Sequence, residues 1–314
     1  MSTIKTRRKN MKKILSLMLV LVLALSVLAG CGKTDDTQND NTTTEKTYSL
    51  AVVVDSSFGN NGKVSNVALA LVIDDANKVV AARFDSVEPV AKLDAQGALI
   101  PVASHDSKVE LGENYMMPKG SWADQAKAFE NAIVGKTADE VANLDASLYA
   151  GCTMQATTPI FKSLVAKAFA YTNKVTFTTA ETITTGIAVD AAVKSGKGGK
   201  ITASCDIAGV VMAGGKVVAC AIDSVEQSFT IEEGALVAGT LAVSKNEQGD
   251  KYVMPAGTWV KQAQAFANST VGKTAAELAN LEVVSDALAQ AGCTMQNTTA
   301  GYKVTIISAV SYAR

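Results

Sequence analysis

The chain carries a long stretch of its own sequence twice. Tyr115–Leu144 aligns with Tyr252–Leu281 without a gap, with 19 identities in 30 positions. Upstream, Asp85-Ser-Val-Glu88 recurs as Asp223-Ser-Val-Glu226, and Asn77-Lys-Val-Val80 as Gly215-Lys-Val-Val218. Downstream, Ala150-Gly-Cys-Thr-Met-Gln-Ala-Thr-Thr158 recurs as Ala291-Gly-Cys-Thr-Met-Gln-Asn-Thr-Thr299, after a four-residue insertion in the second copy. Two long units predict a pair of similar domains and exclude a solenoid of short repeats. A length of 314 residues fits about two domains on the usual size range. We place them at 48–173 and 174–314, with the boundary region at Asn173–Thr185, where a Thr-rich strand-like stretch begins.

Each unit opens with β-prone runs and closes with helical periodicity. Ser49–Val54, Val64–Ile73 and Val79–Phe84 read as strands, repeated at Ile187–Val193, Ile201–Met212 and Val217–Ile222. Ser121 and Thr258 are predicted N-caps ahead of Trp122 and Trp259. Ala126, Phe129 and Ile133 keep helical spacing until Gly135. Thr137-Ala-Asp-Glu140 and Thr274-Ala-Ala-Glu277 are capping boxes, and Thr158-Pro159 opens a last helix. Strands first and helices afterward predict an α+β fold, made twice.

The first 47 residues read as an address and a tether. Basic residues from Lys5 to Lys13 precede the apolar run Ile14–Leu28, which ends in Leu28-Ala29-Gly30-Cys31. That order describes a secretory signal over residues 1–30, starting at Met1 or Met11, and the apolar run is short for a membrane span. Leu-Ala-Gly-Cys resembles a bacterial lipobox, which implies lipidation (palmitate included) of Cys31 and an extracytoplasmic, membrane-anchored location. Residues 32–47 hold no large apolar side chain and predict a flexible tether.

Several chemistries are excluded. A net charge of −1 and 5% aromatic content argue against nucleic acid. Gly135-Lys-Thr137 lacks the earlier glycine of a phosphate-binding P-loop. His105 is the only histidine, so a transition-metal site is not expected, and it reads as a solvated loop residue. Cys205 and Cys220 fall on the hairpin of the second unit, where a cross-strand disulfide and two free thiols both remain open.

The repeated Gly-Cys-Thr-Met loop remains. Gly151 and Gly292 permit positive φ or close approach of a ligand, and the following helix start presents free N–H groups that favour an anion. Thr153 and Thr294 place hydroxyls beside it, with Cys152, Cys293, Met154 and Met295 flanking them. Met116, Met117 and Trp122, and their counterparts Val253, Met254 and Trp259, offer a flat apolar wall. A plain glycine turn with capping threonines is the competing account.

The order of strands, a Gly-Lys turn, Asp-x-Val-Glu, helices, then Gly-x-Thr before a final helix resembles the FMN-binding domain of sodium-pumping NADH–quinone oxidoreductase subunits. The lipobox with two such units resembles the peptide-pheromone-encoding, flavinylated lipoproteins of extracellular electron transfer. The resemblance implies FMN at each unit, esterified through its phosphate to Thr153 and Thr294 by a flavin transferase. Gly151, Gly292, Cys152, Cys293, Met154 and Met295 would complete the cofactor site. It also implies a carrier that relays electrons between a membrane NADH dehydrogenase or quinone and extracellular acceptors, rather than an enzyme that turns over a substrate. The family motif Ser/Thr-Gly-Ala-Thr differs here at Ala150 and Ala291 and at Cys152 and Cys293. A non-redox binding or surface module on the same scaffold is the alternative reading.

Overall fold

The β-prone runs form strands where expected, but longer, and apolar on both faces. The computed structural model describes residues 44–145, 153–154, 157–196 and 199–314. The expected signal segment 1–30, Cys31, Gly151 and Cys152 lie outside the described residues. Strands β1 (Lys46–Phe58), β2 (Val64–Asp74) and β3 (Val79–Val87) form an antiparallel meander. After β4 (Val102–His105) come helices α1 (Lys108–Leu111), α2 (Trp122–Ile133), α3 (Ala138–Ala142) and α4 (Thr158–Ala170). The chain continues through β5 (Val175–Thr179), β6 (Ile183–Ser195), β7 (Ile201–Ala213), β8 (Lys216–Glu232) and β9 (Ala235–Ala238). Helices α5 (Lys245–Gln248), α6 (Trp259–Asn268), α7 (Ala275–Ala279), α8 (Asp286–Gln290) and α9 (Gln296–Ser311) complete it. The result is mixed α+β. One sheet has strand order β3-β2-β1-β5 and the other β9-β8-β7-β6-β4.

Side-chain alternation along each strand shows what covers each face. Ala51, Val53, Leu69 and Leu71 pack against Phe129, Phe161 and Leu164 of α2 and α4. Their neighbours Leu50, Val52, Ala68 and Ala70 point the other way, against Ile187, Val189, Ile207 and Val211 of the second sheet. The far face of that sheet, with Ala208, Val210 and Ile222, is covered by Phe266 and Ile306 of α6 and α9. The layers therefore run helices, sheet, sheet, helices, and this explains why the strands lack a polar face.

The separate domains expected at 48–173 and 174–314 are replaced by one body. Thr43–Arg314 form a single compact unit, and the 173/174 boundary cuts across its sheets. β5, assigned by that boundary to the second domain, pairs with β1, with Tyr48 opposite Phe177 and their rings stacked at 5.4 Å. In return, β4 of the first half pairs with β6 of the second. Each half closes a helix-covered core of its own, but it buries its inner sheet face only by covering the other half.

Local signals appear as expected. Ser121 accepts the Asp124 N–H at 3.1 Å and Thr258 the Lys261 N–H at 3.4 Å. Thr137 and Glu140, like Thr274 and Glu277, form reciprocal capping boxes. Gly135 has φ +77° just beyond α2. Three readings are corrected by packing. His105 is an edge-strand residue opposite Ala191, half-buried, with its pKa lowered by burial, rather than a solvated loop residue. Trp122 and Trp259 are core residues and offer no wall to a ligand. Cys205 lies between the sheets and Cys220 under the helices, so they point to opposite faces of the sheet and both thiols are free.

Candidate functional site

The loop Ala291–Met295 joins α8 to α9, and its first half is a helix stop. The Gly292 N–H donates to the Ala289 carbonyl at 3.0 Å, and the Cys293 N–H to the Leu288 carbonyl at 2.9 Å. This 6→1 and 5→2 pair requires a left-handed residue at the position of Gly292, where φ is +98°. Cys293 and Leu288 are both buried in the same apolar cluster, the contact that accompanies such a stop. Burial pushes the Cys293 thiol pKa up. Cys293, Met295 and Met154 are therefore packed into the cores.

Thr294 follows and is an exposed residue. Its backbone N–H and its hydroxyl both donate to Gln262 Oε1, at 2.9 and 2.7 Å. In the first half Thr153 does the same with Gln125 Oε1, at 2.5 and 2.6 Å. Both glutamines are fully buried, and the Nε2 of each has no partner. The contact joins residues 32 apart in one case and 28 in the other. Sequence reading missed the glutamines. The available signal was a polar residue recurring on the apolar face of two aligned helices, one turn before Phe129 and Phe266.

The threonines expected to cap the final helices do something else. The Thr298 hydroxyl donates to the Met295 carbonyl at 2.9 Å, and Thr299 to Gln296 at 2.8 Å. Thr158 similarly bonds back to Met154 at 3.0 Å. No side chain caps α9 or α4. Gln296 instead staples the loop to Ser285, accepting its N–H at 3.1 Å and donating to its carbonyl at 3.0 Å. Next to Ala291 lies a cavity of about 570 Å³, bordered by Leu281, Leu288, Lys273 and Glu277. That volume falls within the usual range for a small-molecule site.

A second contact set recurs at the strand ends. Lys108 sits 3.2 Å from Glu88 and over the rings of Tyr115 and Trp122, at 5.0 and 5.7 Å. Lys245 repeats this with Glu226 at 3.0 Å and with Tyr252 and Trp259, at 5.4 and 5.7 Å. Beside them are the buried carboxyls Asp85 and Asp223. Asp85 accepts the N–H groups of Ser86 and Val109, at 2.7 and 3.1 Å. Asp223 accepts those of Ser224 and Asn246, at 2.7 and 3.0 Å. These contacts explain the recurrence of Asp-Ser-Val-Glu as a joint between a strand and the next short helix.

Among the described residues, no three metal-ligating side chains come together, and no helix is long and apolar enough to cross a membrane. Comparisons with protein-family models, with curated proteins and with solved structures give no match.

Proposed function

We propose that the chain is a duplicated FMN-binding-like protein, anchored by lipid at Cys31 outside the cytoplasmic membrane and relaying electrons through FMN carried at Thr153 and Thr294. The observation that carries this reading is the threonine–glutamine clasp, found with the same atoms in both halves. The residues fit the phosphoryl end of the cofactor. Thr294 is an exposed residue, and α9 begins two residues later without a side-chain cap, so its first-turn N–H groups favour negative charge. Gln262 holds the Thr294 oxygen through a hydrogen bond that threonine donates, leaving the oxygen lone pairs outward. Lys273 supplies a positive charge on the adjoining cavity wall. The bound flavin would supply reversible one- and two-electron chemistry, with the protein contributing placement and electrostatics. Its partners would be a flavin transferase, a membrane NADH dehydrogenase or quinone, and external acceptors.

Expression with and without a flavin transferase tests this by in-gel fluorescence and intact mass. Wild type should gain two FMN-ester increments. Thr153→Val and Thr294→Val should each remove about half the fluorescence, since sites far apart act additively. No mass increment with both threonines intact rules out the ester, and no reversible FMN uptake by the purified chain removes the flavin reading. The second reading, a non-redox surface module, is favoured by one observation: the Gly292–Cys293 turn is fully accounted for as a helix stop.

A further inference from the structure

The two halves differ sharply at one matched place. The alignment that sets Asp85 opposite Asp223 sets Arg83 opposite Ala221, and the long repeat sets Glu130 opposite Ala267. Tyr171 and Tyr312 each close the last helix of a half, so Arg314 stands opposite Asn173. Arg83 and Glu130 of the first half form an ion cluster with Arg314 from the end of the second. Buried Glu130 meets Arg314 at 3.0 Å and Arg83 at 3.4 Å, and accepts the Phe84 N–H at 2.8 Å. Arg83 also donates to the Arg314 carbonyl. At the counterpart place no such cluster can form, since Ala221, Ala267 and Asn173 carry no charge, and a cavity of about 490 Å³, lined by Ala221 and Asn173 among others, lies between residues 171–175, β8 and α6.

The cavity has an apolar floor of Val52, Ala221 and Ile222 and a rim of Asn173, Lys174, Lys261, Gln264 and Asn268. No carboxylate is among the described residues that line it. Lys174 donates to the carbonyls of Phe169 and Tyr171, at 2.8 and 2.5 Å, and forms no ion pair among the described residues. Lys261 forms no ion pair among the described residues. The nearby acid Glu247 is held by Lys167 at 2.9 Å.

We infer that this cleft binds a small organic anion with a hydroxyl-bearing body, a sugar phosphate or a sugar acid. The two ammonium groups take the phosphate or carboxylate. Carboxamides both donate and accept, which suits the hydroxyls, and the apolar floor takes the carbon skeleton. The inference does not rest on the flavin reading, because the cleft shares no lining residue with the Thr294 loop.

Calorimetric titration of the full mature protein with glucose 6-phosphate, gluconate and glucose tests it. At least one of the two anions should bind, and glucose should bind at least about tenfold more weakly than that anion, the effect of roughly one unit of pairing energy. Which anion binds identifies the head group. Lys261→Glu, at an exposed position, should weaken anion binding by about tenfold or more with the melting temperature held, and Asn268→Asp should weaken it in the same direction. Failure of both anions to bind, glucose binding as tightly as they do, or affinity unchanged in both variants overturns the inference.

Discussion

Gly209→Val is expected to abolish the folded state at ambient temperature, and Gly209→Ala to lower stability by about 1–3 kcal/mol. Gly209 lies on β7, facing Val52 and Ala70 of the first sheet. A Cβ there would sit 2.4 Å from Val52 Cγ2 and 3.0 Å from Ala70 Cβ. Val52 and Ala70 belong to the first sheet and are fully buried, so neither can retreat into solvent. An alanine forces the sheets apart locally, and a valine adds two more methyl groups against a net stability of roughly 5–15 kcal/mol for a domain. Gly301→Ala provides the contrast. Gly301 lies inside α9 with nothing near its would-be Cβ, so alanine there should stabilise by about 0.5–1 kcal/mol. Urea midpoints for the three variants decide the matter. A Gly209→Ala protein as stable as wild type would mean that the sheets do not approach as described.

Acidification from pH 7.5 to pH 5 is expected to stabilise the protein by about 2–3 kcal/mol for each of Asp85 and Asp223. Both carboxyls are completely buried, and desolvation raises each pKa from 3.8 to about 7, while hydrogen bonds from Ser107 and Ser244 and from backbone N–H groups pull it back. An acid whose folded pKa lies above its unfolded value holds a proton in the native state that the unfolded chain has lost. Stability therefore falls as pH rises from about 4 to about 7, and is recovered on acidification through that window. Glu130 and Asp206, whose pKa values burial also raises, add to the effect in the same direction, and other groups leave it visible. Glu88, Glu140 and Glu277 have lowered pKa values and titrate below pH 5. His105, lowered by burial, works in the opposite direction, but as one half-buried group against two fully buried ones. Asp85→Asn and Asp223→Asn keep the oxygen that accepts the backbone N–H groups and cannot ionise, so each should reduce the slope, and by similar amounts. A flat profile of melting temperature between pH 5 and 7.5 in wild type would show that both carboxyls are charged in the native state.

What was legible beforehand follows the range of the interaction. The Ser121 and Thr258 caps and the capping boxes at Thr137 and Thr274 close within four residues. The hydrogen bonds that make them are therefore written in adjacent sequence. The strand runs were visible for the same reason, as was the position of Thr153 and Thr294 ahead of a helix. The partners of those threonines were not. Gln125 and Gln262 reach them across 28 and 32 residues, through a packing that no periodicity describes. The sequence left Gly292 open between a glycine turn and a place of close ligand approach, because a glycine that terminates one helix and a glycine that admits a ligand use the same φ > 0 freedom.

The sequence by itself determined the recurrence, because two stretches of one chain can be compared directly, and the α+β order and the local caps, because these depend on residues within a few positions of one another. Only the tertiary structure decided that the halves share their sheets, that an apolar strand face meets another sheet rather than a helix, and that Arg83 and Glu130 of the first half meet Arg314 from the end of the second. A face apolar on both sides states that it must be covered and does not state by what. That choice belongs to packing among distant segments, where shape and volume select the partner.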